Sequence, residues 1–340
     1  MNERIQPGEF YRILPSGQWE IFLDATMCST FNACPQMFNY SFVQRLAPKG
    51  DRPFVRDLGS WWSEVMENIY SAFAKGESYK LDDIATLAMQ LWNKLEMDEL
   101  EKTDPKKYKE FGGRYGALAM IADYVSRQLP TDYATWKIVA AEASFGRNRE
   151  VCLGETDKIK LYWMGQPDLF VIAEGRVMPV DHKSVSYIDA YISRRYKPHT
   201  QLPGYVLAGQ ILCKQLGLDY KVDRAIINCV ARTDRTDKNG DSKKPRFKRI
   251  RVDYSQEEIE EWRVRRLHDA ERLRTCFETG HWPWSELTCH SWFYKNCPFL
   301  NIDEKIASIR PIVITADYVR RDAWIPGRSE KEEEKKSGAE

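Results

Sequence analysis

The stretch Pro167–Lys183, PDLFVIAEGRVMPVDHK, consists of two short apolar runs joined at Glu174-Gly175, with charge at both ends. Runs of this length, rich in Val, Ile and Phe and broken by a glycine-containing pair, read as a β-hairpin. With those two residues as the loop, Ala173 pairs with Arg176, Ile172 with Val177, and Asp168 falls opposite Asp181. Directly opposed residues of an antiparallel pair have Cβ atoms about 4.5–5.5 Å apart. Two carboxylates at that separation can share one Mg²⁺, whose oxygen ligands sit at about 2.0–2.1 Å. Lys183 lies two residues past Asp181, so strand periodicity returns it to the same face. The competing reading is a surface hairpin with two exposed acids and a lysine. The apolar flanks weigh against it, because charge flush against buried strands is costly without a role.

A divalent cation between two carboxylates polarises a phosphate, activates a bound water and stabilises the leaving oxygen. A neighbouring lysine orients or deprotonates that water, or binds the transition-state phosphate as a point charge. This constellation resembles the PD-(D/E)xK nuclease superfamily, and within it the RecB-like exonuclease branch that includes CRISPR-associated and phage exonucleases. Gly165-Gln166-Pro167-Asp168 is similar to the family's glycine-x-x-aspartate element, and Asp181-His182-Lys183 to its D-x-K element. Gln201 and Tyr205 match the branch's Q-x-x-x-Y helix, and Glu142 resembles the glutamate on the strand before the glycine turn. Cys34-Pro35, Cys289 and Cys297-Pro298 resemble its cysteine bracket. The matches run in family order over roughly residues 29–300.

The resemblance implies a restriction-endonuclease-like α/β fold, a mixed central sheet flanked by helices with an N-terminal helical insertion. It also implies DNA as substrate and Mg²⁺ or Mn²⁺ as cofactor. Asp168, Asp181 and the main-chain carbonyl of His182 would hold metal, Lys183 would serve the attacking water, and Glu142 would support the site. Gln201 and Tyr205, four apart, share one helical face; there they would touch the nucleic-acid backbone or brace Lys183.

Two departures stand out. The branch offers a metal-ligating histidine on an early helix, where Gly59-Ser60-Trp61-Trp62-Ser63 places Ser63, a poor ligand. Glu64 or Glu67 on that helix would give an all-oxygen site suited to Mg²⁺; otherwise the site is weakened or dead. The branch's cysteine bracket implies a 4Fe-4S cluster, which normally takes four thiolates. Cys34, Cys289 and Cys297 supply three, and Asp303 occupies the fourth position. Asp303 or Cys28 would complete a cluster, or Cys34, Cys289, His290 and Cys297 would bind zinc. The alternative is reduced cysteines serving as small hydrophobes, the reading taken for Cys152, Cys213, Cys229 and Cys276.

The 340 residues, 43% hydrophobic and 30% charged, are ordinary for a soluble globular protein. No apolar run reaches bilayer-spanning length, and the first ten residues lack a signal core. Eight cysteines without small-scaffold spacing point to a reducing, cytoplasmic setting. Fifty-one basic against fifty acidic residues leave a net charge of +1, so DNA affinity must come from local patches. One such patch lies between Arg232 and Arg251, with nine basic residues against three acidic ones. Strand-like alternation at Val222–Val230 and Phe247–Val252 makes it a hairpin with a long basic tip, placing Lys243, Lys244, Arg246, Lys248 and Arg249 toward phosphates.

Elsewhere, residues 10–24 read as a hairpin turning at Pro15-Ser16-Gly17, and a helix begins near Ser29 or Thr30. Helical periodicity covers 57–75, 81–96 and 105–128. Ser255-Gln256-Glu257-Glu258 opens a helix that runs to Gly280. Trp282, Trp284, Trp292 and Phe293 crowd the cysteine segment. This divides the chain into a hairpin and helical region (1–135), the nuclease core with the C-terminal helix and cysteine segment (136–309), an extension (310–326) and a charged, disordered tail (327–340). The expected activity is a metal-dependent DNA exonuclease in replication, recombination or CRISPR adaptation. The alternatives are a catalytically weakened DNA-binding or assembly subunit, or a structure- or site-specific endonuclease.

Overall fold

The computed structural model describes residues 10–50, 54–77, 80–142, 144–146, 151–189, 191–197, 200–232, 246–291 and 297–322. The chain divides into two compact units that interleave along the sequence, one of 52–143 with 167–255, the other of 1–51, 144–166 and 256–340. The expected blocks 1–135 and 136–309 are thus each shared between the two units. Among the described residues, no helix is long and apolar enough to cross a membrane.

The unit of 52–143 and 167–255 is built on a five-stranded sheet. Its strands run in the order Phe247–Asp253, Arg224–Ala231, Arg176–Val185, Leu169–Ala173, Lys137–Ala141. The hairpin has the expected register, Ala173 opposite Arg176 and Leu169 opposite Val180, and Glu174 and Gly175 take the positive φ its tight turn demands. Arg176–Val185 also pairs parallel with Arg224–Ala231, Lys183 beside Cys229. A parallel neighbour requires a crossover, supplied here by the helix Gln201–Gln215. The strand carrying Asp181 is therefore central, buried from Val177 through His182.

Period-two alternation sends this strand's residues to opposite layers. Leu169, Val171, Met178, Val180, Ile226 and Val230 join the helices Phe54–Ala74, Leu81–Lys94, Gly113–Arg127 and Leu129–Thr135 in one core, centred on Trp61, Trp62 and Trp92. Asp181 and Lys183 face the other way, toward the layer of Gln201–Gln215. Periodicity over 105–128 is interrupted: Gly112, at φ 87°, ends the helix Pro105–Phe111 before Gly113–Arg127 begins.

The other unit holds a four-stranded sheet in which Tyr11–Ile13 and Trp19–Leu23 form the expected N-terminal hairpin. Its first helix, Ala25–Ala33, starts earlier than Ser29 or Thr30, because Asp24 caps it by accepting from the Met27 N–H at 2.8 Å. The long helix Gln256–Thr279 ends at Gly280, φ 67°. In the C-terminal extension, Tyr318–Arg320 pairs with Leu46–Pro48. The anticipated tail, 327–340, lies outside the described residues, as do Trp292 and Phe293.

Candidate active site

Asp168 stands just before the strand Leu169–Ala173, beside the end of Lys137–Ala141 and the middle of Arg176–Val185. The paired register ends at Leu169 opposite Val180, leaving Asp168 one residue before its strand and Asp181 one residue further along its own. One carboxylate oxygen of Asp168 accepts from the His182 N–H, and its main-chain carbonyl accepts from the Glu142 N–H at 2.9 Å. Glu142 takes a positive φ of 49° just beyond the strand Lys137–Ala141. The ammonium of Lys183 stands 2.9 Å and 2.7 Å from the two oxygens of Asp181. Burial opposes charge on Lys183, but Asp181 and Asp168 more than offset it and hold its pKa above the usual lysine value. A cation thus already sits on the Asp181 carboxylate. This donor set, two carboxylates beside a main-chain carbonyl, suits a hard divalent ion.

Gln201 donates from its side-chain amide to the Tyr205 hydroxyl at 2.6 Å, at the start of the crossover helix. On the helix Phe54–Ala74, Gly59, Ser63, Glu67 and Tyr70 share one flank at spacings of four, four and three. A Cβ at Gly59 would lie 3.5 Å from Ser184 Oγ, and the Tyr70 ring stacks on His182, centroids 5.4 Å apart. Ser63 and Glu67 lie between these two contacts with the Asp181 strand. Glu64 lies off that flank and pairs with Lys94 at 3.4 Å.

The ring of His182 and its surroundings were missed in the sequence, where only its carbonyl drew notice. Pointing away from Asp181, the ring is buried among the helices. The Asn228 amide reaches His182 Nδ1 at 3.0 Å and donates to the Tyr124 hydroxyl at 2.7 Å. Tyr124 and Tyr70 hydroxyls lie 2.7 Å apart, and Tyr70 donates to Asp132 at 2.5 Å. Arg249 completes the chain on Asp132. Burial pushes the His182 imidazole down to about 3, against the opposing pull of Asp181, and raises Asp132 to about 6, against Arg249. The usable signal was a histidine and an asparagine inside otherwise apolar strands, since buried polar groups require partners.

The strands flanking the basic stretch pair, Phe247–Asp253 with Arg224–Ala231, while the tip, 233–245, lies outside the described residues. Lys243 and Lys244 lie outside the described residues. Arg246 and Arg249 do not extend toward phosphates as expected. Arg246 is buried against Asp123 at 3.2 Å, and Arg249 pairs with Asp132 over the Trp136 ring, 4.6 Å from its centroid. Lys248 differs: it sits opposite Cys229, which itself lies beside Lys183. Lys183 and Lys248 therefore share the face of Asp181, two strand spacings or about 10 Å apart.

In the other unit, Cys34, Cys289 and Cys297 are all buried, and Cys34 and Cys297 share a cluster with Tyr40 and Phe299. The Cys297 N–H donates to the Cys289 carbonyl at 2.8 Å, and Asp303 accepts from the Tyr40 hydroxyl at 2.8 Å. Burial, with Cys289, Cys34 and Asp303 adding to it, pushes the Cys297 thiol up to about 11. Cys28 is instead buried beside Arg266, Asp269 and Asp24. The His290 side chain lies outside the described residues. Three thiols and a carboxylate do not fit a four-thiolate cluster. Among the described residues, no three His, Cys, Asp or Glu side chains form a metal-binding group.

Against known families, residues 25–302 match the PD-(D/E)XK nuclease superfamily. The chain belongs to that superfamily, and its sheets flanked by helices are the restriction-endonuclease-like α/β fold. Among solved structures, it is similar to a candidate exonuclease from Eubacterium rectale. The identity is 9% over 78% of this chain and 85% of that one, with a TM-score of 0.37, too distant to carry an argument about activity. No curated protein matches.

Proposed function

We propose that the protein is a metal-dependent deoxyribonuclease that degrades DNA from its ends. The observation that carries this reading is the convergence of Asp168, Asp181 and Lys183 on one face of a central strand, with Glu142 joined to Asp168 through the main chain. Mg²⁺ or Mn²⁺, when bound, would supply Lewis acidity to the phosphate and lower the pKa of a water. Asp168, Asp181 and the His182 carbonyl would hold it. Glu64 or Glu67, on the helix Phe54–Ala74, would be the further carboxylate of its shell. Lys183, released from Asp181, would orient the attacking water and meet the phosphate charge. Gln201 and Tyr205 would brace the scissile strand, and Lys248 on the same face would grip a flanking phosphate. The setting is cytoplasmic, in keeping with eight free cysteines, and the role is DNA replication, recombination or processing.

A second reading, a binding subunit without turnover, is favoured by Ser63 at the family's histidine position. One assay separates the two: end-labelled linear and circular DNA with Mg²⁺, Mn²⁺ or EDTA, with Asp181→Ala alongside. Metal-dependent shortening of linear DNA only, absent in the variant, is expected. Cutting of circles would instead make the enzyme an endonuclease. Salt-sensitive binding with no cutting under any metal would leave the binding subunit standing.

A further inference from the structure

Residues 186–189 and 191–197 lie between the Asp181 strand and the Gln201 helix in sequence, and their side chains separate into two sets. Ile188, Ile192 and Tyr196, spaced four apart, are buried. Tyr187 and Tyr191, also four apart, are 37% and 63% exposed. Arg194 and Arg195 are exposed with them. The buried set fixes the segment in place, and the Tyr196 hydroxyl lies 4.0 Å from the sulfur of Cys229, the residue beside Lys183 in the sheet.

The exposed set is held in order. Asp189 accepts from the Tyr191 N–H at 2.9 Å and from Arg195 Nη2 at 2.8 Å. The Arg194 N–H donates to the Tyr191 carbonyl at 2.9 Å. The Arg194 guanidinium lies 5.2 Å from the centroid of the Tyr191 ring. At the start of the segment, Arg232 donates to the Ser184 carbonyl at 2.9 Å and to Ser186 Oγ at 2.5 Å. A solvated turn has no need of this arrangement. Two exposed tyrosines pinned by buried neighbours, with two guanidiniums among them, match the chemistry that grips an unpaired strand. Flat π-faces take bases, and cations take the backbone. Duplex DNA offers no base faces along its length, so such a surface discriminates by strandedness.

We propose that Tyr187, Tyr191, Arg194 and Arg195 form a stacking platform for single-stranded nucleic acid leading into the Asp181–Lys183 site. The proposal rests on the nuclease reading for its placement but is tested without cleavage. Fluorescein-labelled oligonucleotides, single-stranded, duplex and abasic single-stranded, are titrated by anisotropy with the full-length protein in EDTA. Wild type binds the base-containing single strand most tightly. Tyr191→Ala weakens that complex about ten-fold, Tyr191→Trp restores it, and neither change moves binding of the abasic strand or the duplex. Tyr187→Ala behaves like Tyr191→Ala, and circular dichroism confirms that each variant is folded.

Equal losses on abasic and base-containing strands, or no loss in either tyrosine variant, would overturn the platform. Tighter binding of duplex than of single strand would overturn it as well. A protein that cuts DNA but ignores both tyrosines loses the platform and keeps the nuclease reading. One that stacks bases but never cuts does the reverse.

Discussion

The ammonium of Lys183 bridges both oxygens of Asp181, at 2.9 Å and 2.7 Å, with Asp181 itself buried and Lys183 about a third exposed. A divalent ion arriving at Asp181 therefore competes with a cation already in place. Asp181→Asn should lower Mn²⁺ affinity at least ten-fold, because a neutral amide is a poorer ligand. Lys183→Gln should abolish cleavage yet leave Mn²⁺ affinity equal or higher. Calorimetric Mn²⁺ titration of the two variants checks this, and a Lys183→Gln protein that binds Mn²⁺ ten-fold more weakly would contradict it.

His182 is neutral and buried, its pKa pushed down to about 3 by desolvation. A pKa lowered on folding gives stability that is complete above the unfolded value near 6.5. That stability is lost as pH falls toward 3. Between pH 7 and 5 the imidazole should withdraw about 2 kcal/mol from the folded state. Asp132, raised to about 6, works in the opposite direction across the same window. His182→Leu removes only the histidine contribution, so urea unfolding at pH 7 and pH 5 should show the variant losing about 2 kcal/mol less than wild type on acidification. Equal losses in the two proteins would mean that the ring is hydrated in the native state.

The hairpin and its charged ends were legible because β-pairing has a period of two and a two-residue turn fixes register. From Glu174-Gly175 alone, the pairing of Ala173 with Arg176 through Leu169 with Val180 follows. The basic patch was legible only as composition. Sequence shows that Lys248 and Arg249 point to opposite faces, but not that one face meets Asp132 and Trp136. The network behind His182 depends on contacts between residues as distant as Tyr124 and Asn228. No local pattern encodes such pairs. The early start of the first helix was a local miss, since Asp24 is as good a cap as Ser29.

Arg249 and Lys248 should therefore respond to truncation in different ways. Arg249→Ala leaves Asp132 buried without its guanidinium, a loss of about 3–5 kcal/mol in stability. Lys248→Ala removes a cation from the catalytic face and should leave the melting temperature within a degree or two. Its effect belongs in DNA binding, where the slope of log K against log salt should fall by about one. A reversed pattern, with Arg249→Ala stable and defective only in binding, would return Arg249 to the DNA-contacting set.

Gly209 lies mid-way along the crossover helix that presents Gln201 and Tyr205, and a Cβ there would come within 2.9 Å of Val222 Cγ1 and 3.1 Å of the Phe170 ring. Both neighbours belong to the sheet side of the contact, so the absence of a side chain lets helix and sheet approach closely. Gly209→Ala gains helix propensity of about 1 kcal/mol but forces overpacking that costs about 1–3 kcal/mol. The strain can be relieved only by moving the helix outward, which carries Gln201 and Tyr205 away from the Asp181 face. The variant should melt lower than wild type and lose cleavage by more than its unfolded fraction accounts for. Assaying well below the melting temperature separates the two effects. A variant that melts higher at full activity would mean that the sheet yields to the methyl group and that the helix position is not set at Gly209.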